Sequence, residues 1–577
     1  MDVLIILVLS LLAIAGATAI GSRLGVAAPL LLIVFGIAVS LLPFVPEIHV
    51  EPEWILAGVL PPLLYSASVS MPSMDFRREF GAIGGLSVLL VVLSSVVLGF
   101  FFAWVIPGLG IWWGIALGAI VSPTDAVATS IVKKVGVSPR VVSILEGESL
   151  LNDATALVLL RTAIAATAAS VSFGGVLGTF AFAVVVAVII GYLVGKLNLI
   201  LRARVTDATV NTVISFTVPF LASIPAEALG ASGLVAAVVA GLVTGRNAPR
   251  MLSAQHRLSE SQNWRMIELV LEGAVFLLMG LELTAIIGDV QRDHAGIGFA
   301  VVVAAGALLL TILVRSAYVA PLLAGLAARA RRGEQMKPKL AQIQEHLDRS
   351  PEQRAELGLS RAQGKARGKD RGRAKSTSGL AVGGESTIPA QDRQRGDRPA
   401  PSAGRLERFS TRVRRTVADI DYYLAAPLGW REGTIVVWAG MRGAVTLAAA
   451  QTLPDDAPSR SLLVLIAFLV AAGSLLLQGG TLKRIVAWVK PSTGSDPDAE
   501  AEERAQIIDL LRQAAASAEP AAQPDSKPRA LAVIELQRQA LLDARDDGLY
   551  GAEALNSALA VLDADQISIE LRGGPLG

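Results

Sequence analysis

The amino-acid sequence predicts an all-α polytopic membrane protein of about 13 transmembrane helices, two of them broken, with soluble additions. Three observations lead there. The chain is 53% hydrophobic and only 17% charged, with a mean hydropathy of +0.56, whereas an ordinary soluble domain is roughly 25% charged. Its apolar residues gather into runs near the ~20 residues needed to cross a bilayer. And several carboxylates and two arginines sit inside those runs, where a charge costs at least ~3 kcal/mol on insertion scales and is therefore paired, hydrated or functional.

Taken in order, the spans fall at about 3–21, 25–45, 53–70, 81–105, 111–133, 141–166, 174–196, 209–226, 230–246, 266–288, 297–326, 432–453 and 461–485. The first begins at Val3 with no basic residue ahead of it, unlike a cleaved signal peptide, so it is expected to be a retained helix. The third and ninth are short and broken by small residues, as backbone beside a cavity can be.

Basic residues set the orientation. With the N-terminus outside, the inner loops hold Arg23, Arg77, Arg78, Lys133, Lys134, Arg140, Lys196, Arg202, Arg204, Arg246, Arg250, Arg257 and Arg265; the outer loops hold Arg292 and Arg460. This positive-inside bias puts the two long soluble segments in the cytoplasm. The organisation is then a membrane domain at 1–327, a basic insert at 328–430, two further spans at 431–487 and a tail at 488–577. The insert, with Arg361, Lys365, Arg367 and Lys369 and few core formers, is expected to be largely disordered. In the tail, Leu531, Val533, Ile534, Leu536, Leu541 and Leu542, then Leu555, Leu559, Val561 and Leu562, suit an amphipathic helical hairpin.

The balance of charge is +2 and there is no cysteine. Disulfides, thiol catalysis and thiolate metal sites are excluded, and nothing points to nucleic acid. Histidines 49, 256, 294 and 346 lie outside the apolar runs, which removes a histidine-built metal or haem site within them.

The chemistry concentrates in two spans. In 111–133, Pro123 precedes Asp125 by two residues. Proline removes the donor to the carbonyl of Ala119, so the helix is expected to open around Pro123 and Thr124 and bare carbonyl oxygens beside Asp125. Oxygen ligands suit a hard cation. In 141–166, Glu148 and Asn152 share one helical face and Ser149 and Asp153 the next. Glu148 and Asp153, five apart, diverge by about 140°. One can face a pathway while the other meets a partner; Glu146 lies nearer the inner end. Arg315, in mid-span, is the natural partner of Glu148, since buried guanidiniums require carboxylates or carbonyls. Gly440 and Gly443 around Arg442 suggest a second interrupted helix, in a position matching the first by inverted-repeat logic. Glu272 and Glu282 are ambiguous between structural and pathway roles. Glu227 reads as interfacial, and Arg161 as snorkelling at an outer end.

Ser122-Pro123-Thr124-Asp125, Glu146-Gly147-Glu148-Ser149-Leu150-Leu151-Asn152-Asp153 and Gly440-Met441-Arg442-Gly443-Ala444-Val445 closely resemble the bacterial sodium/proton exchangers of the NhaP and NHE type, within the monovalent cation:proton antiporters. The resemblance covers about residues 1–490. It implies the antiporter fold with inverted repeats, and a plasma-membrane transporter, usually a homodimer, that needs no cofactor beyond its transported Na+ and H+. It implies that Asp153 binds cation and proton in turn. Asp125 would line the same site, with Thr124 lending its main-chain carbonyl and Ser149 its hydroxyl. Asn152 would stand where electrogenic relatives carry a second aspartate, giving one cation per proton and no net charge moved. Glu148 would form a structural pair with Arg315, and Arg442 would stabilise the second break. A K+/H+ antiporter of the same architecture, or one accepting Li+, is the nearest alternative. An intramembrane aspartyl hydrolase using Asp125 and Asp153 as a dyad is a distant one, because it gives Glu148, Asn152 and the buried arginines nothing to do.

Overall fold

The computed structural model describes residues 2–43, 51–168, 173–293, 296–348, 403–492, 497–518 and 527–571, and every regular element among them is a helix. Contacts divide the chain into two units, one of 1–327, 426–546 and 550–577, the other of 328–425 and 547–549.

The first unit opens with α1 (Asp2–Leu24) and α2 (Ala28–Ser40). Next come a π-helical stretch at Trp54–Val59 and α3 (Leu60–Ser70). Then α4 (Ser73–Gly84) leads through π-helical Gly85–Leu90 into α5 (Val91–Val105). A pair of short helices follows, α6 (Ile111–Val121) and α7 (Val127–Val135). The long helices are α8 (Pro139–Ala168), α9 (Phe173–Arg202), α10 (Ala208–Ala228), α11 (Gly233–Met251) and α12 (Ala254–Leu281). After α13 (Leu283–Arg292) comes α14 (Ile297–Asp348), and then α15 (Ala403–Ala425). A second short pair, α16 (Trp430–Trp438) and α17 (Ala444–Gln451), precedes α18 (Arg460–Ser474), π-helical Leu475–Gly479 and α19 (Gly480–Val489).

Eight of the described helices are long and apolar enough to cross a membrane, and three shorter ones are also apolar. Local chemistry sets several ends. Asp207 caps α10 by accepting from the Val210 N–H at 2.8 Å, and Ser232 and Ser253 do the same for α11 and α12. Gly136, at φ 75°, lets the chain turn out of α7 after its last helical turn, which carries Lys133 and Lys134 at the negative end of the helix dipole.

The two larger hydrophobic clusters of this unit lie among its apolar helices. One gathers Leu98, Leu117, Ile144, Phe276, Ile435 and Leu463 from α5, α6, α8, α12, α16 and α18. The other gathers Tyr65, Ala187, Val218 and Val238 from α3, α9, α10 and α11. Helix α8 belongs to both, through Leu160 and Ala163 on one side and Leu150 and Ala154 on the other. Leu4, Leu9 and Leu12 of α1 and Val185, Ile189 and Leu193 of α9 stay exposed on the protein surface, as lipid-facing positions do.

Helices α20 (Pro497–Ala516), α21 (Lys527–Asp547) and α22 (Ala552–Leu571) make up the tail. Its small core joins Ile507, Ile534, Leu541, Leu542, Leu555, Leu559 and Leu562. The hairpin expected from sequence thus has a third helix beside it, and Val561, assigned to its apolar run, is 61% exposed. The cause is phase: Leu555, Leu559 and Leu562 already complete an i, i+4, i+7 stripe, which leaves Val561 off the face.

In the second unit, the part of α14 after residue 327 and α15 pack together, with Gly333 against Ile420 and an ion pair between Lys337 and Asp421. The flanks of the insert expected to be disordered are therefore helical. A span that continues into water needs no new nucleus, since each added residue gains a hydrogen bond, and α15 buries Val413 and Ile420. Residues 349–402, the rest of that expectation, lie outside the described residues.

Candidate cation site

The first break leaves 122–126 non-helical between α6 and α7, and the second leaves 439–443 non-helical between α16 and α17. The two lie against each other. The Asp125 N–H donates to the Met441 carbonyl at 2.8 Å, and Arg442 Nε donates to the Val121 carbonyl at 2.9 Å. Arg442 Nη1 also donates to the Gly440 carbonyl. Its guanidinium thus meets the carbonyl ends of α6 and α16, which carry partial negative charge. Asp125 meets the opposite ends. Its Oδ1 accepts from Val127 N–H at 2.8 Å at the start of α7, and its Oδ2 faces Gly443, where α17 starts. A Cβ on Gly443 would fall 1.4 Å from that oxygen, so only glycine admits the carboxylate. The Arg442 N–H is held by Ser474 Oγ at 2.8 Å. Ser122 is tied to the preceding helix through Ser94 Oγ and the Val91 carbonyl.

Helix α8 crosses beside both breaks. Glu148 accepts from both Arg315 terminal nitrogens, at 2.5 and 2.7 Å, and each side chain is about 2–3% exposed. Arg315 Nε donates to the Val436 carbonyl at 2.9 Å, so one guanidinium joins α8, α14 and α16. Thr124 Oγ1 donates to Glu148 Oε1 at 3.1 Å. Asn152, fully buried, donates to the Thr124 carbonyl at 3.0 Å and to Thr124 Oγ1 at 2.7 Å. The resemblance gave that carbonyl to the cation. Here the break deprives it of a helical donor, and the Asn152 amide supplies one. Ser149 Oγ donates within its own helix to the Glu146 carbonyl at 3.0 Å, and Glu146 pairs with Lys133.

Asp153 differs from all of these. It is 8% exposed, lies within electrostatic reach of Asp125, and has no hydrogen-bond or ion-pair partner among the described residues. A carboxylate so placed is costly unless it is neutralised by a proton or a cation. Pro123, Thr124, Asp125, Glu148, Ser149, Asn152, Asp153, Arg315 and Arg442 are thus brought into one neighbourhood. Ser94 and Ser474 belong to it as well, and no local pattern marks them; Ser122 and Met441, whose carbonyl accepts from Asp125, fall inside the motifs already quoted. Of the two ambiguous glutamates, Glu272 is an electrostatic neighbour of Asp125. Glu282 lies elsewhere, lining a cavity of about 430 Å³ with Asp289, Asp455 and Arg460 and accepting from Gln451 Nε2 at 2.9 Å. Arg161 faces Glu227 at 3.8 Å.

A family model for the sodium/hydrogen exchanger transmembrane region matches residues 7–342 and 412–488. The chain belongs to the sodium/hydrogen exchanger family. Over 268 residues it is 34% identical to an uncharacterised Na+/H+ exchanger of Escherichia coli, which covers 45% of this chain and 49% of that protein. It is 24% identical over 613 residues to an uncharacterised Na+/H+ exchanger of Mycobacterium tuberculosis, covering 98% and 96%. It is 30% identical over 277 residues to a sodium, potassium, lithium and rubidium/H+ antiporter of Bacillus pumilus, covering 46% and 41%. The chain thus spans about half the length of the first and less of the third. Among solved structures, the sodium proton antiporter of Methanocaldococcus jannaschii shares the fold, with a TM-score of 0.55 at 14% identity over 85% of this chain and 99% of that one.

Proposed function

We propose that this exchanger moves a monovalent cation, Na+ in the first instance, against H+ across the plasma membrane, with the N-terminus outside and the insert and tail in the cytoplasm. The observation that supports it most is the buried, unpartnered Asp153 beside Asp125, where two broken helices cross. A single carboxylate in that position holds a proton or a cation but not both, so each displaces the other, and alternating access carries whichever is bound. Asp125 adds charge and oxygen ligands at the same point. Asn152, being neutral and already bonded to Thr124, leaves one exchangeable proton at this position, which favours one-for-one exchange with no net charge moved.

Glu148, Arg315 and Arg442 hold the site rather than bind the ion, because each is already satisfied by partners. Potassium or lithium exchange is the second reading, supported by the breadth printed in the name of the Bacillus pumilus relative.

Proteoliposomes with an acid-loaded lumen and a pH dye test this. Addition of Na+ dissipates the gradient in the wild-type protein, independently of a clamped membrane potential, and Asp153→Asn abolishes the response while remaining inserted and folded. Full exchange by Asp153→Asn would end the proposal; a response to K+ in place of Na+ would move it to the second reading.

A further inference from the structure

Away from the cation site, the membrane domain holds a cavity of about 430 Å³ with a polar wall that the exchange step does not use. Glu282, at the end of α12, is 2% exposed, Ser461, in the first turn of α18, is 8% exposed, and both line it. Gln451, the last residue of α17, lines it too, and its Nε2 donates to Glu282 Oε2 at 2.9 Å. A carboxylate only accepts, so this bond holds the amide NH2 on Glu282 and leaves the amide oxygen over. Gln451 Oε1 and Ser461 Oγ are both buried and have no hydrogen-bond partner among the described residues. Arg460 brings the two residues together, because its Nη2 donates to the Gln451 carbonyl at 2.9 Å and Ser461 follows it in the chain.

The wall carries a net negative charge. Asp289, Asp293 and Asp455 join Glu282 there, against Arg292 and Arg460. Both guanidiniums are engaged. Arg292 pairs with Asp289 at 3.1 Å. Arg460 donates to the Leu453 and Gln451 carbonyls at 2.8 and 2.9 Å and stands 3.6 Å from Asp455. A recess lined in this way concentrates cations. It is separate from the cation site: α17 starts beside Gly443, which meets Asp125, and ends at Gln451. Its eight residues, at ~1.5 Å each, put about 12 Å between the two.

A metal ion held directly by the protein does not fit, because among the described residues no three Asp, Glu or His side chains stand close enough to ligate one. The volume lies within the range of about 300–1,000 Å³ usual for small-molecule sites. A primary ammonium has three N–H donors and no acceptor. Glu282, Gln451 Oε1 and Ser461 Oγ offer it a charge and matching acceptors on one wall. One ammonium leaves most of the volume empty, with aspartates still at the wall. We propose that this cavity binds a linear aliphatic polyamine, one ammonium on Glu282, Gln451 and Ser461 and the next towards the remaining aspartates.

Equilibrium binding of radiolabelled spermidine to the full chain in nanodiscs of phosphatidylcholine tests this. The zwitterionic lipid attracts little polyamine, and excess Na+ competes for Asp153 and Asp125. The wild-type chain binds spermidine saturably. Ser461→Ala, which removes a hydroxyl without a protein partner and so leaves the fold intact, weakens binding about fivefold. Glu282→Gln weakens it by about tenfold or more, whereas Asp153→Asn binds as the wild type does. Putrescine displaces the label at lower concentration than butylamine, which has one ammonium only. Absence of saturable binding to the wild-type chain would overturn the proposal, whatever the fate of the variants. So would an affinity that ignores Ser461→Ala, a loss in Asp153→Asn, which would put the ligand in the cation site, or butylamine competing as well as putrescine.

Discussion

Replacing Glu148 with alanine strands Arg315 at about 3% exposure, with the Val436 carbonyl its one remaining partner among the described residues. Removing one partner of a buried ion pair costs about 3–5 kcal/mol, most of it the penalty for the charge left behind. The Thr124 hydroxyl loses its acceptor too, which adds about 1 kcal/mol. Arg315→Met alone carries a similar cost, because Glu148 is then the uncompensated charge. Independent sites would give a double variant that loses about 6–10 kcal/mol, whereas a coupled pair gives a double that loses no more than either single, about 3–5 kcal/mol or less. Titration with a denaturing detergent in mixed micelles, followed by tryptophan fluorescence, measures all four corners of the cycle. Losses that add would refute the reasoning and show that each side chain acts through other neighbours.

Gly443→Ala forces a Cβ against the Asp125 carboxylate; exchange in proteoliposomes falls at least tenfold, about 1.4 kcal/mol in the barrier, while the yield of folded protein stays closer to normal than for Glu148→Ala. At the tail, Arg257 donates to Asp563 and Arg250 to Asp543 and Asp546, at 3.0 and 2.8 Å for the latter pair. Asp563→Ala therefore speeds hydrogen–deuterium exchange in α22 and at 246–257, and high salt weakens the same contacts in the wild-type chain by screening the half-exposed Arg250 pairs most. Exchange rates at those segments that ignore both perturbations would contradict this docking.

Much of this arrangement was legible because membrane physics writes it locally. Each apolar run falls on a helix or a pair of helices, since the bilayer tolerates little else. Pro123 and the glycines around Arg442 marked both breaks, and the divergence of Glu148 from Asp153 separated the paired carboxylate from the unpaired one. What escaped is made by segments far apart in sequence. Arg442 reaches the Val121 carbonyl across 321 positions and Ser474 anchors it from another helix. A backbone carbonyl has no sequence signature, so such partners cannot be read in advance. Asn152 looked like a residue defined by the charge it lacks; its bonds to Thr124 give it a structural task that helical periodicity does not display. The third tail helix escaped because its apolar residues, Ile507, Ile508, Leu510 and Leu511, fill a single short stretch within an otherwise polar and alanine-rich segment and show no repeating stripe.

The Glu148–Arg315 pair spans 167 positions, and that separation has a consequence during synthesis. At roughly 5–20 residues per second, Arg315 leaves the ribosome some ~8–33 s after Glu148. Throughout that interval α8 is a nascent segment carrying an acid whose counter-charge has not yet been made. It must wait protonated, hydrated or sheltered beside the insertion machinery until α14 arrives. The assembly of this membrane domain therefore has a built-in order: its central helix enters early and is locked late.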